Sequence, residues 1–373
     1  MRYIVPLFII VLMLACEEDN QPIAAFADGS AAEFPEVDVW LTIIDSIGVE
    51  TGDSNMILGR PVVSVWMPDD RIAVLDLQKC RVSVFSSNGN YLTSVGRQGS
   101  GPGEFLVPSW LSLTPSGGLG ISDGMAGSVF FFDSALVYTG KLDGFFPSPP
   151  TNTVFLNDTV FAGIMPDYEM NDDNITAGFS VALWSTSSTD PETFYYRDLV
   201  PFNPEDIFSL DATMPIFTMS PDGIVYTSVK STEEYVIHCM DTDGTKLFTV
   251  TEPFTRVPRT QEEIQQELEH MQSLIQGNAL ESLLDSFEPE TYRYSISSMS
   301  IGPDGNLWVG QGIYRHPVFR IYDPQNGDYL FTAALDSTEK KSQLLVMMNR
   351  WGITAMNTMS DQWPRIYILQ VKN

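Results

Sequence analysis

Several short runs in this chain have the residue types of reactive sites. Gly120, Ile121, Ser122, Asp123 and Gly124 have the GxSxG spacing of a nucleophile elbow, in which a strained strand-to-helix turn lifts a serine toward a histidine base. Here Ser128 to Phe132 read as another strand, so Ser122 is expected to be structural. Asp123, like Asp76 at the matching place in an earlier repeat, is expected to cap a turn. Gly96 to Gly103 has the glycine density of a phosphate cradle, but it leads to Pro108 and a strand. No helix follows to turn its amides toward a phosphate, and no Lys with Ser or Thr comes after it. His238, His270 and His316 share no ligand spacing, and Cys80 and Cys239 form no CxxC pair; both thiols are expected to be isolated in the core or at an edge. Asp167, Glu169, Asn171, Asp172, Asp173 and Asn174 place oxygen ligands at alternating positions, a chemistry calcium favours. However, Asp172 stands where an EF-hand loop needs Gly, and Gly178 where it needs the bidentate Glu. The run, within a loop from Met165 to Ala177, reads as solvated and acidic, and calcium is the one cofactor its chemistry admits. No catalytic residue and no metal-ligand set is assigned.

Composition narrows the partners. Lys and Arg number 20 against 48 Asp and Glu, a formal charge of −28 over 373 residues, so the surface repels polyanions and nucleic acid is excluded as a partner. At 43% hydrophobic and 12% aromatic residues the chain can still bury a large core.

The body of the chain repeats one unit: strand, tight polar turn, strand, then two more strands joined by another turn. First turns fall at Pro68 to Asp70, Pro115 to Gly117, Asn157 and Asp158, Pro221 to Gly223, Pro303 to Gly305, and Asn349 and Arg350. Later hairpins turn at Asn88 and Gly89, Asp243 and Gly244, and Asn326 and Gly327, pairs that suit two-residue turns. Six units of about 50 residues match the length of a four-stranded propeller blade. The sixth has room for three strands only, Leu344 to Met348, Gly352 to Met356 and Arg365 to Val371. The orphan strand Val39 to Ile47 is expected to supply its fourth and so remove an open edge. The fold class expected is all-β, a six-bladed propeller closed by its N-terminal strand, with a helical hairpin inserted over 260–287.

The crossover Gly96 to Phe105 reads GRQGSGPGEF and precedes Pro108 and the next strand. With this motif the stretch from about 36 to 373 resembles the NHL-repeat and TolB-like six-bladed propellers. The resemblance implies architecture and is nearly silent on activity. Among such propellers the amidating lyases hold zinc with several pore-lining histidines, a set this chain lacks. The lactonase-like ones hold calcium at the channel mouth, which makes a calcium-dependent hydrolase the alternative activity.

The N-terminus reads as an address. Met1 and Arg2 precede 13 mostly apolar residues, too few to span a bilayer of about 30 Å, as in a signal peptide. Leu12 to Cys16 (LMLAC) resembles a bacterial lipobox, which implies lipidation of Cys16 after removal of 1–15. Glu17, Glu18 and Asp19 resemble the surface-export signal of some Bacteroidetes lipoproteins. A tether over 16–36 then leads to the propeller at 37–373. These resemblances imply a cell-envelope protein, an outer-membrane lipoprotein held to the membrane by its lipid; the acidic run is compatible with surface exposure, and the sequence leaves periplasmic and surface orientations both open.

The insertion departs from the repeat. Thr260 with Glu263 forms a capping box, and Ile264, Leu268, Met271 and Ile275 recur at helical spacing up to Gly277. Asn278 with Glu281 starts a second helix ending before Pro289. Connections between blades share one face of a propeller with the loops between second and third strands. That face should therefore gather the insertion, the acidic loop, and the loops Gly310 to Pro317 and Asn357 to Pro364. Tyr314, Arg315, His316, Asp361 and Trp363 are the groups expected to form a ligand site there, since Arg and Trp are common binding anchors. The function expected is a binding or scaffold module for a protein or glycan ligand.

Overall fold

The computed structural model describes residues 36–171, 174–203, 207–275, 287–312, 317–336, 343–359 and 363–372. Its strands form six four-stranded blades. Blade one is β2 (Pro61–Trp66), β3 (Arg71–Asp76), β4 (Arg81–Ser86) and β5 (Tyr91–Val95), and blade two is β6 (Pro108–Leu113), β7 (Leu119–Asp123), β8 (Ser128–Phe132) and β9 (Tyr138–Asp143). Blade three is β10 (Thr151–Asn157), β11 (Val160–Asn171), β12 (Asn174–Ser185) and β13 (Thr193–Pro201), and blade four is β14 (Pro215–Met219), β15 (Val225–Val229), β16 (Tyr235–Met240) and β17 (Lys246–Glu252). Blade five is β18 (Ser298–Ile301), β19 (Leu307–Gln311), β20 (Val318–Tyr322) and β21 (Tyr329–Leu335). Blade six takes β22 (Gln343–Asn349), β23 (Gly352–Met359) and β24 (Ile366–Lys372) from the end of the chain and β1 (Val39–Ile47) from its beginning.

Each blade is apolar on both faces because each face meets a neighbour. Strand β3 shows how: side chains alternate along a strand, so Ile72 and Val74 join Ile366 and Ile368 of blade six, while Ala73 and Leu75 join Leu111 and Ile121 of blade two. One such cluster fills every gap around the ring, between blades one and two, two and three, three and four, four and five, five and six, and six and one. Six gaps in a closed cycle fix six blades independently of the strand count. Several hydrogen bonds between side chains cross the gaps. The Ser64 hydroxyl lies 2.7 Å from that of Thr354, and the Thr153 hydroxyl donates to Ser112 Oγ at 2.9 Å. Between blades four and five, Tyr322 donates to Tyr235 Oη at 2.9 Å and Arg320 Nε donates to Tyr322 at 3.0 Å; burial pushes both phenols above their ordinary titration range. Cys80 and Cys239 are buried in blades one and four and are not joined as a disulfide, and burial pushes the Cys239 thiol up to about 12.

Ring closure follows the expected strand. β1 runs antiparallel to β24, with Leu41 opposite Val371 and Ile47 opposite Ile366, and both Leu41 and Ile47 are fully buried. Its first residues also pair in parallel with β21 of blade five, Val39 with Ala333 and Leu41 with Leu335, which makes blades five and six one eight-stranded sheet. Asp38 tightens this second contact: its amide donates to Thr332 O (3.0 Å), and its carboxylate accepts from the Thr332 amide (2.9 Å).

Three expectations need correction or restriction. The later hairpins are not two-residue turns. In the first, the Gly89 amide donates to Ser86 O and the Ser86 amide to Asn90 O, so the loop holds three residues, the last left-handed at φ +78°. Asp70 takes that left-handed place, at φ +60°, in the first turn of blade one. The acidic loop is for the most part not a loop: β11 and β12 each run 12 residues, pairing from Val160 with Ser185 out to Asn171 with Asn174. Helix α1 (Gln261–Ile275) has the expected capping box, the Thr260 amide donating to Glu263 Oε2 (2.8 Å) and the Glu263 amide to Thr260 Oγ1 (3.2 Å). The second capping box, Asn278 with Glu281, lies outside the described residues, as do Met1 to Pro35 with Cys16. Among the described residues no helix is long and apolar enough to cross a membrane.

Candidate functional site

The candidate site is the end of the ring that carries the inter-blade crossovers and the loops between second and third strands. Its base is set by the crossovers. The Asp123 carboxylate at the end of β7 accepts from the amides of Leu106 (2.7 Å), Val107 (3.0 Å) and Ala126 (2.9 Å), and Asp76 at the end of β3 accepts from those of Gly59 (2.8 Å), Arg60 (2.9 Å) and Lys79 (3.2 Å). Each aspartate thus fastens the crossover entering its own blade, which is the capping role expected of it. Phe105, fully buried three residues before β6, plugs the gap below, and Leu58 does the same three residues before β2. Gly96 is left-handed at φ +78°, and a Cβ there would stand 2.0 Å from the Phe105 ring. The Gly-rich run is therefore a crossover built around one aromatic plug. Ser122 donates its hydroxyl to Pro150 O at 2.6 Å, is 1% exposed and lies on a strand that continues into a hairpin. Among the described residues no histidine base reaches it.

On this base stand two taller structures. The first is the extension of β11 and β12 in blade three. Asp167 and Glu169 lie on one side of it, and Arg197 of β13 reaches both, Nε to Asp167 Oδ2 at 2.7 Å and Nη1 to Glu169 Oε1 at 2.5 Å. Ser180 also donates to Asp167 at 2.5 Å. Burial raises the Asp167 carboxyl, but the hydrogen bonds from Arg197 and Ser180 with the Arg197 charge outweigh it, and the group ends below its ordinary value. A guanidinium thus occupies the space between the two carboxylates from which a cation site would be built. On the other side of the hairpin Tyr168, Phe179, Val200 and Phe202 pack with Ala177, Leu210 and Phe208, the last two from a 3₁₀ helix over Ile207–Thr213.

The second is the insertion between β17 and β18. Its two legs pair where they leave the ring, the Arg259 amide donating to Thr291 O and the Arg293 amide to Val257 O, both at 2.9 Å. Arg293 of the second leg meets Glu263 Oε1 through Nη2 at 2.7 Å, and Arg259 of the first leg pairs with Glu267 and donates from Nη1 to Glu290 O at 2.9 Å, so two arginines tie the start of α1 to the second leg. Arg256 lies over the Tyr292 ring at 3.7 Å. Phe208 meets Phe287 at 5.2 Å, edge to face, joining the hairpin structure to the insertion.

Of the site residues expected from sequence, Tyr314, Arg315, His316 and Asp361 lie outside the described residues. Trp363 is half-buried on this face, with the Arg365 guanidinium 4.2 Å above its ring. Asn357 holds the pair in place, its Oδ1 accepting from the Arg365 amide at 2.8 Å. Arg365 was not among the expected residues, although its i, i+2 spacing from Trp363 in an extended segment places both side chains on one side. A small cleft between the inner strands of blades five and six, lined by Ser297, Ser298, Gln311, Phe319 and Leu344, has room for about one water molecule and none for a small-molecule ligand.

Residues 35–146 match the family model DUF5128, described as a 6-bladed beta-propeller. No curated protein matches the chain. Among solved structures it is similar to a Bacteroides fragilis protein described as exported, at 12% identity over 89% of this chain and 96% of that one, with a TM-score of 0.49. It is also similar to a duf4221 family member from Bacteroides vulgatus (7% identity, 90% and 99% covered, TM-score 0.47) and to a calcium-binding protein, regucalcin, from Agrobacterium tumefaciens (11%, 88% and 94%, TM-score 0.41). At such identities the likeness concerns the path of the chain and not its chemistry. The matched stretch 35–146 covers the closing strand, the first two blades and the crossover after them, and both its description and the six filled gaps give a six-bladed β-propeller.

Proposed function

We propose that this protein is an extracytoplasmic, lipid-tethered propeller that binds a protein or glycan ligand on its crossover face and performs no chemistry on it. One observation carries the reading: the six inner strands, β2, β6, β10, β14, β18 and β22, contain no Asp, Glu, His, Cys, Lys or Arg. Acid–base, thiol and metal-assisted catalysis draw on those groups, and here the inner strands carry only hydroxyls, amides, thioethers and apolar or indole side chains. The buried carboxylates Asp76 and Asp123 at the ends of the second strands are taken up by backbone amides, and Asp167 by Arg197 and Ser180. A calcium-dependent hydrolase would have to draw its ligands from elsewhere. The placement rests on the apolar leader before Cys16, the lipid expected on that cysteine, and the acidic residues 17–19, which favour export to the outer-membrane surface.

A photo-crosslinking amino acid placed at Phe287, Arg315 or Trp363 in intact cells should give discrete higher-mass products. The same probe at Asp222 or Trp351, on the hairpin-turn face, should give none. Products confined to the turn-face positions would overturn the assignment of the binding face.

A further inference from the structure

We infer that the half of the crossover face over blades three to five docks a polypeptide segment that combines apolar side chains with a surplus of lysine or arginine. This rests on the binding role proposed above and names the partner's chemistry. The first observation is a continuous aromatic band. Phe146, 49% exposed in the crossover entering blade three, meets Tyr168 edge to face at 5.8 Å. Tyr168 belongs to the cluster that holds Phe202 and Phe208, and Phe208 meets Phe287 of the insertion. Met170, 53% exposed near the tip of the hairpin, extends the band into solvent. Exposed apolar surface of this kind, rimmed by polar groups, is the form of an interaction site.

The second observation is charge. Among the described residues of 165–177, 202–214, 230–234 and 253–297 there are eleven carboxylates and four cations. All four cations are engaged within this half, Lys230 by Asp211 (2.6 Å), Arg256 by Glu233 (2.9 Å), Arg293 by Glu263 (2.7 Å) and Arg259 by Glu267, while Arg197 is held by Asp167 and Glu169. Glu234, Glu269, Glu288 and Glu290 are exposed, and no described Lys or Arg forms an ion pair with their carboxylates. An apolar band inside a rim of uncompensated carboxylates is complementary to a basic amphipathic segment, because the rim steers the cations and the band supplies the desolvated contact. A neutral glycan would leave the rim unmatched, and an anionic one would be repelled.

The probes are labelled synthetic peptides in which Leu alternates with Lys, Ser with Lys, or Leu with Glu, titrated by fluorescence anisotropy against the whole protein. The Leu–Lys peptide should bind, more weakly as salt is raised. The Ser–Lys peptide should bind at least about tenfold more weakly, and the Leu–Glu peptide should not bind. Phe146→Ser with Met170→Ser, both at exposed positions, should weaken the Leu–Lys peptide by about tenfold or more. Removing two turn-face charges by Asp222→Asn and Asp243→Asn should leave it unchanged. Equal binding by the Ser–Lys peptide, equal weakening by the turn-face variant, or no binding would overturn the inference. If cross-links at Phe287 persist while the peptides fail, the partner's chemistry is wrong and the binding face stands.

Discussion

Three backbone amides converge on the Asp123 carboxylate, and the same arrangement recurs at Asp76 one blade earlier. Removing the acceptor leaves those amides to find partners at a buried position, so Asp123→Ala should cost about 3 kcal/mol, against about 1 kcal/mol for Ser122→Ala, which gives up one hydroxyl bond. Denaturant midpoints of the two variants check the ranking, and faster hydrogen exchange at Leu106 and Val107 checks the cause. Equal midpoints would refute the capping role. Both roles were legible in the sequence, because a serine and an aspartate that fall in register with Leu75 and Asp76 of the previous repeat must share their surroundings. Trp363 was legible as a loop aromatic, whereas its stacking on Arg365 follows from the path of the backbone, which loop composition does not specify.

At the level of elements, turn chemistry gave the positions of the first hairpins within a residue or two, since a polar Pro, Asp, Asn or Gly cluster between apolar runs admits few alternatives. The tall hairpin of blade three was misread for a physical reason. Asp167, Glu169 and Asn171 alternate with Tyr168 and Met170, which is strand periodicity, but the run exceeds the length of the other blades' strands and its polar side is matched by Arg197 from another strand. Charge compensation across strands does not show in a local window. The ion pair also sets a pH dependence. The Asp167 pKa is depressed in the folded state, so its contribution to stability is fully present above the unfolded value of about 4 and is lost as pH falls through the lower folded value. Asp167→Asn should therefore speed hydrogen exchange of the hairpin amides at neutral pH and make little further difference at pH about 2. An equal effect at both pH values would show that the carboxylate charge is not what holds the hairpin.

For the whole molecule, stability and closure are one question, because a ring of blades has a core only when every gap is filled. Removing residues 36–47 strips Leu41 and Ile47 from the two gaps that flank blade six, and burial of each is worth about 1.5 to 3 kcal/mol before any loss of strand pairing. The truncated chain should aggregate or lose its cooperative unfolding transition. Moving the same segment behind Asn373 on a flexible linker should restore both. A truncated chain with an unchanged melting curve would show that β1 is dispensable.

The partners in that closure are far apart in time as well as in sequence. The Thr42 hydroxyl bonds to the Gln370 carbonyl across 328 positions, so the antiparallel edge of β1 stays open until Ile366–Lys372 has been made, while its other edge already has β21 to meet. During synthesis β1 is therefore available to blade five before the ring can shut.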